Sequence, residues 1–169
     1  VKAGKTFATS GPLLQFQVGG RTPGEQIELG SNDPNNLAFE AEVSSLFPLE
    51  AVEIVVNGEV QQRFEAPGQR RSWTFSGTVD LPVGGWVAAR AYGPPHPLVG
   101  DEFPFAHTSP VWVTRDGRGY RSEADAQFLI ETIDALWRQV EGRDRFKTDD
   151  SRRRYQEAVE QAKRKLADP

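Results

Sequence analysis

The chain has 169 residues, a net charge of −4 at pH 7 and neither cysteine nor methionine. This length fits one domain, or one domain with an appendage. Without cysteine there are no disulfides, no thiolate metal sites and no cysteine nucleophile. The acidic balance argues against nucleic-acid binding, because phosphates select a basic surface. No apolar run approaches the roughly 20 residues of a membrane span.

Composition divides the chain near Tyr120. Of the 16 glycines 15 precede this point, as do 11 of the 12 prolines, and 22 of the last 49 residues are charged. Frequent turn-forming residues are typical of short strands joined by turns, whereas a charged segment with few of them is typical of helix. We therefore predict a β-sandwich domain over residues 1–120 and a C-terminal helical hairpin over residues 121–169.

The first part alternates apolar and polar residues between turn signals, which is typical of an antiparallel all-β domain. Asn57-Gly58 is the strongest of these signals and predicts a hairpin over residues 50–65. About eight strands are enough for two packed sheets, so the predicted fold is mainly β, an immunoglobulin-like antiparallel β-sandwich with a C-terminal two-helix hairpin. The remaining predicted strands cover residues 13–18, 25–29, 37–45, 71–79, 85–92 and 105–114.

Two helices are predicted after the sandwich. Ser122 is the N-cap of a helix over about 122–141, which the pattern ends at Gly142, and Asp149 opens a second helix with acidic residues at its positive dipole end. The second helix has a narrow, alanine-rich stripe and is predicted to pack on the first. The helix pair is predicted to dock on the sandwich through the side of the first helix that carries Leu129, Ile133 and Trp137.

The segment from 93 to 110 contains both histidines of the chain and is the densest candidate for chemistry. His96, Asp101 and His107 are ligand types suited to zinc or manganese. Their spacing matches no compact ligand motif, and five prolines in the segment favour a stiff connection. We therefore interpret His107 as hydrogen-bonded at a strand edge and His96 as solvated, with no metal bound.

Aromatic and cationic residues on the strands are the other binding candidates. Trp73 and Trp86 are interpreted as core residues, whereas Trp112 lies between two valines that occupy the opposite face, so it is a candidate platform for a sugar ring. Arg90 shares a face with Trp86 on a regular strand. It is either an inter-domain ion-pair partner or a surface residue with a buried stem.

No complete catalytic site is predicted in this chain. The run His107-Thr108-Ser109 places hydroxyl nucleophiles beside a base, but adjacent residues of a strand point to opposite faces, and no glycine-flanked serine elbow is present. The pairs Gly19-Gly20 and Gly84-Gly85 lack the helix that follows a phosphate-binding loop.

Four segments, in this order, resemble a known family. They are KTFATSGPLLQF (5–16), GGWVAARAYGPPHPLV (84–99), FAHTSPVWV (105–113) and SEADAQFLIETIDALW (122–137). They are similar to the C-terminal region of CehA/McbA-type metallohydrolases, whose catalytic domain is a polymerase-and-histidinol-phosphatase (PHP) metal-dependent phosphoesterase. The metal ligands of that family lie in the upstream domain, and no residue here matches their motifs.

The resemblance implies that the chain is a non-catalytic accessory domain, with the upstream catalytic domain of the same protein as its partner and as the site of the divalent metal. Together with the absence of cysteine it favours an extracytoplasmic location. One alternative is an independent sandwich that binds a carbohydrate or another small ligand. A third hypothesis is a small hydrolase built on His96, Asp101 and His107.

Overall fold

The computed structural model describes residues 4–66, 71–143 and 145–167. The chain forms two compact units that meet in sequence between Tyr120 and Arg121. The first unit consists of strands in two sheets, and the second consists of two helices. This confirms the predicted fold class, a mainly β sandwich with a C-terminal helix pair.

Ten strands alternate with short turns in the described part of the first unit. They are β1 (Phe7–Thr9), β2 (Leu13–Val18), β3 (Gln26–Leu29), β4 (Asn36–Ser44), β5 (Ala51–Val56), β6 (Glu59–Glu65), β7 (Ser72–Asp80), β8 (Gly85–Tyr92), β9 (Phe105–Thr108) and β10 (Val111–Arg115).

The strands form a seven-stranded main sheet and a three-stranded small sheet. In the main sheet β8 pairs with β5 along one edge, and β5 pairs with β6. Along its other edge β8 pairs with both β9 and β10. Strand β9 then pairs with β1, and β10 pairs with β3. The small sheet has the order β2-β4-β7. All of these pairs are antiparallel except β3 with β10.

The core lies between the inner faces of the two sheets. Val18, Ala41 and Val43 of the small sheet are fully buried, as are Ile54 and Val87 of the main sheet. These positions alternate with exposed or half-buried ones along β2, β4 and β8, as expected for sheets that each bury one face. Strand β5 differs, because all six of its residues are buried.

The β5–β6 hairpin turns at Asn57 and Gly58, as predicted. Their φ angles are 52° and 93°, the left-handed values that a two-residue type I′ turn requires. The Asn57 side chain also links this hairpin to β8, because its Oδ1 atom accepts a hydrogen bond of 2.9 Å from the Trp86 backbone nitrogen.

Glutamine side chains close one lateral side of the sandwich. There β6 is the edge of the main sheet and β7 the edge of the small sheet. Gln61 Nε2 donates to the Asp80 carbonyl at 2.9 Å, and Gln62 Nε2 donates to the Thr78 carbonyl at 2.6 Å. The opposite side, where β1 and β2 are the edges, contains a groove.

The second unit contains α1 (Glu123–Arg143) and α2 (Asp149–Ala167). The Asp125 backbone nitrogen donates to Ser122 Oγ at 3.1 Å, which confirms the predicted N-cap. Trp137 stacks on Tyr155 with ring centroids 5.7 Å apart, so the two helices pack on each other as predicted. No described residue of either helix is buried within the structure. The docking of the pair on the sandwich stays a prediction.

Two local expectations were wrong, and one strand was not predicted. Residues 105–114 do not form one strand, because β9 ends at Thr108 and β10 begins at Val111. Pro110 lies in the break, where it has no N–H to donate to a ladder. Helix α1 continues through Gly142 to Arg143. Strand β1 carried no strong pattern and was not predicted.

Candidate functional site

The outer face of the main sheet brings together several of the residues that the sequence singled out. Alternation along β8 directs Trp86 and Arg90 away from the core. Trp112 of β10 is the register partner of Trp86, and His107 of β9 is the register partner of Arg90. Glu53 of β5 faces Arg90 from the other side.

Glu53 is the centre of an ion-pair network on this face. Only 5 % of the residue is exposed, yet its carboxylate accepts hydrogen bonds from Arg90 Nε at 2.6 Å, Arg63 Nη1 at 3.0 Å and the Tyr92 hydroxyl at 3.1 Å. Arg63 also donates to Tyr92 and to Glu50, and its guanidinium lies over the Tyr92 ring. The buried carboxylate is therefore fully paired.

The network stabilises the charged form of Glu53. Burial raises the pKa of the carboxyl group, because it removes the charge from water. Hydrogen bonds from the two guanidinium groups and the phenol outweigh that effect, so the pKa of Glu53 lies below its usual value of 4.5. Arg90 is therefore paired within its own sheet, and its side chain is 43 % exposed.

Sequence reasoning missed Glu53, although the signal was present. The segment AVEIVV has a single charged residue within a short apolar run. A charge at the centre of such a strand needs partners, because an unpaired buried carboxylate is costly. The partners come from β6 and β8, which lie beside β5 in the sheet.

Of the three tryptophans on the strands, only Trp86 differs from its prediction. Trp112 is 50 % exposed, as its neighbouring valines implied, and Trp73 is buried at 7 %. Trp86 is half-buried and lies outside the core cluster, so its interpretation as a core residue was wrong. Trp86 and Trp112 stand side by side on the outer face instead.

A second candidate surface is the loop end, defined here as residues 10–12, 45–50 and 93–104. The Ser10 hydroxyl donates to the Phe103 carbonyl at 3.0 Å, and the Phe47 ring lies 4.9 Å from the His96 ring. These contacts join the three segments at one end of the sandwich. Leu46 and Leu98 project from this end and are 77 % and 79 % exposed.

The candidate metal ligands His96, Asp101 and His107 form no metal-binding cluster, and Asp101 is exposed. His96 is half-buried against Phe47 and accepts a hydrogen bond from the Leu98 nitrogen, whereas His107 is exposed on β9 with its ring 5.5 Å from that of Phe105. His107 is not at a sheet edge, since β9 has partners on both sides. Across the described residues no cluster of three or more histidine, aspartate or glutamate side chains could hold a metal ion.

No protein family and no curated protein matches the chain. Among solved structures the sandwich is similar to a CARDB domain from Pyrococcus furiosus, with 16% identity and a TM-score of 0.39 over 61% of this chain and 95% of that domain. It is also similar to a lytic polysaccharide monooxygenase from Jonesia denitrificans, with 21% identity and a TM-score of 0.34 over 55% of this chain and 59% of that one. Of the helices in the described ranges, neither has the length and apolar character needed to span a membrane.

Proposed function

We propose that this chain is a non-catalytic accessory domain that packs through its loop end against the catalytic domain of a PHP-type metal-dependent hydrolase. The observation that carries the proposal is the exposure of Leu46 and Leu98 on a loop end held by defined contacts. Large apolar side chains clustered on a surface mark interaction sites. Each leucine that moves from water into an interface contributes about 1.5–3 kcal/mol.

The identity of the partner is supported by the four segments that resemble the CehA/McbA-type metallohydrolases. Two of them, residues 5–16 and 84–99, contribute directly to the loop end. The divalent metal of such a hydrolase would be bound by residues of the catalytic domain. This chain contributes the surface on which that domain rests.

Activity measurements on two proteins test the catalytic part of the proposal. The product of the complete reading frame should hydrolyse a phosphodiester such as bis-p-nitrophenyl phosphate with added manganese or zinc. The isolated chain of residues 1–169 should not, because its histidines do not converge on a metal site. A metal-dependent rate from the isolated chain that His107→Ala abolishes without unfolding the protein would overturn the proposal.

The docking part is tested by Leu46→Ser combined with Leu98→Ser in the complete protein. We expect the domains to separate, so that protease cleaves between them about tenfold faster, as loss of roughly 1.4 kcal/mol or more of interface energy predicts. Val60→Ser with Val83→Ser is the matched control, because both valines are exposed on the same sandwich but lie outside the loop end. Equal cleavage rates for the two double variants would contradict docking through the loop end.

The Trp86–Trp112 pair favours a second candidate function, the binding of a carbohydrate. Adjacent strands lie about 4.8 Å apart, so the register-paired Trp86 and Trp112 place two indoles on the same face of the sheet, which also carries Arg90 and His107. If this candidate is correct, a soluble hexasaccharide of glucose, xylose or N-acetylglucosamine should quench tryptophan fluorescence. Trp112→Ala should then weaken binding about tenfold, whereas Leu13→Ala, at another exposed apolar site, should leave it unchanged.

A further inference from the structure

The edge of β2 is open. This strand pairs with β4, and within the described residues it has no ladder on its other side. The Gly19 nitrogen donates to the Ala38 carbonyl of β4 at 2.7 Å, so the alternation of an antiparallel ladder directs the peptide groups of Leu14 and Phe16 away from β4. The peptide group of Val18 also faces away from β4, but it is already paired: the backbone groups of Val18 and Arg21 exchange two hydrogen bonds of 2.9 Å in a tight turn.

Among the described residues, β2 itself carries none of the usual edge protection. Natural sheets shield their edges with lysine, proline or a bulge inside the edge strand. Residues 13–18 read LLQFQV and contain no lysine or proline, and their pairing with β4 is regular. The side chain of Leu13, at the start of the strand, is 56 % exposed. The open edge therefore offers two N–H and two C=O groups to another strand.

A groove of about 450 Å³ runs beside this edge, between β2 and β1. Its apolar part could receive side chains from a strand added to β2, because Phe7 is 43 % exposed at the groove. Its acidic part lies on the neighbouring strand β4. Lys5 also lines the groove, but it is paired with Glu25 at 2.9 Å. The lining of the groove includes Phe7, Leu14, Phe16, Thr108, Glu40 and Glu42.

We propose that the open edge of β2 binds an extended peptide in which apolar and basic side chains alternate. The peptide backbone pairs with Leu14 and Phe16, as in other complexes formed by strand addition. One face of the added strand places apolar side chains in the groove. The other face places lysine or arginine within reach of the Glu40 and Glu42 carboxylates, which favours basic residues at alternate positions. This inference is independent of the loop end and of the proposed accessory role.

Amide exchange measured by NMR with the peptide Thr-Val-Lys-Val-Lys-Val-Thr tests the proposal. On saturation the amides of Leu14 and Phe16 should exchange at least about tenfold more slowly, because they gain hydrogen-bond partners. Those of Gln15 and Gln17 should change little, since they already face β4. The same peptide with glutamate in place of lysine should bind more weakly. A peptide that is N-methylated at the alternate residues whose N–H groups would face β2 should not bind.

Charge variants of the protein supply the second arm. Glu40→Gln with Glu42→Gln should weaken binding of the lysine peptide about tenfold and spare the fold, because both side chains are exposed. Glu28→Gln with Glu59→Gln changes the net charge equally at exposed positions that do not line the groove and should have little effect. Unchanged exchange at Leu14 and Phe16, or equal losses in both double variants, would refute the proposal. Protection that appears without peptide and grows with protein concentration would assign the edge to a second copy instead.

Discussion

Gly93→Ala is expected to lower the free energy of unfolding of the sandwich by about 3 kcal/mol, the upper end of the cost of overpacking. A Cβ atom at residue 93 would lie 2.1 Å from the Pro48 carbonyl oxygen and 3.1 Å from the Leu49 Cα atom. Both are backbone atoms, so no side-chain rotation can relieve the overlap. A backbone shift would weaken the 3.0 Å hydrogen bond from Gly93 to the Pro104 carbonyl.

Thermal unfolding followed by circular dichroism measures this effect. A loss of that size corresponds to a fall in Tm of about 10 °C for a protein of this length. Gly100→Ala is the matched control in the same loop, because a Cβ atom at residue 100 would have no heavy atom within 4 Å. We expect the control to unfold within about 1 °C of the native chain. Equal Tm values for the two variants would show that the β4–β5 loop does not approach residue 93 as described.

Glu53→Gln is expected to lower the free energy of unfolding by about 2 kcal/mol at pH 7, because it leaves the Arg63 and Arg90 guanidinium groups without their buried counter-charge. The cost is below that of a fully buried pair, since both arginines keep part of their side chains in water. Denaturant titration at pH 7 measures it. Glu65→Gln is the control, because this exposed carboxylate lies 3.9 Å from Arg63 and should contribute little.

The same variant has a defined pH dependence. The pKa of Glu53 in the folded protein is below 4.5, its value in the unfolded chain. Folding therefore favours the charged form, and this stabilisation is complete above pH 4.5 and is lost as the pH falls through the folded pKa. The difference between the native chain and Glu53→Gln should shrink steadily below pH 4.5. Glu25, with a pKa of about 2, titrates in both proteins and cancels in the comparison. A difference that is constant from pH 7 to pH 3 would contradict the assigned ion pair.

Local sequence determined the element types. Alternation of apolar and polar residues identifies a strand with one buried face, so β2, β4 and β8 were predicted within one residue of their observed ends. The Asn57-Gly58 turn was predictable for a similar reason, because few residues tolerate two successive positive φ values. The cap at Ser122 depends on atoms three residues apart.

Tertiary structure alone decided the order of the strands and the surfaces that result. The parallel pairing of β3 with β10 joins residues more than 80 positions apart, and no local pattern encodes it. Glu53 is buried on the outer face only because Arg63 and Arg90 are delivered by neighbouring strands. Strand order also decides that the face of β8 carrying Trp86 is the outer one and that β2 has an open edge. Periodicity reports that a face is buried, but strand order, which is set by contacts distant in sequence, decides what covers it.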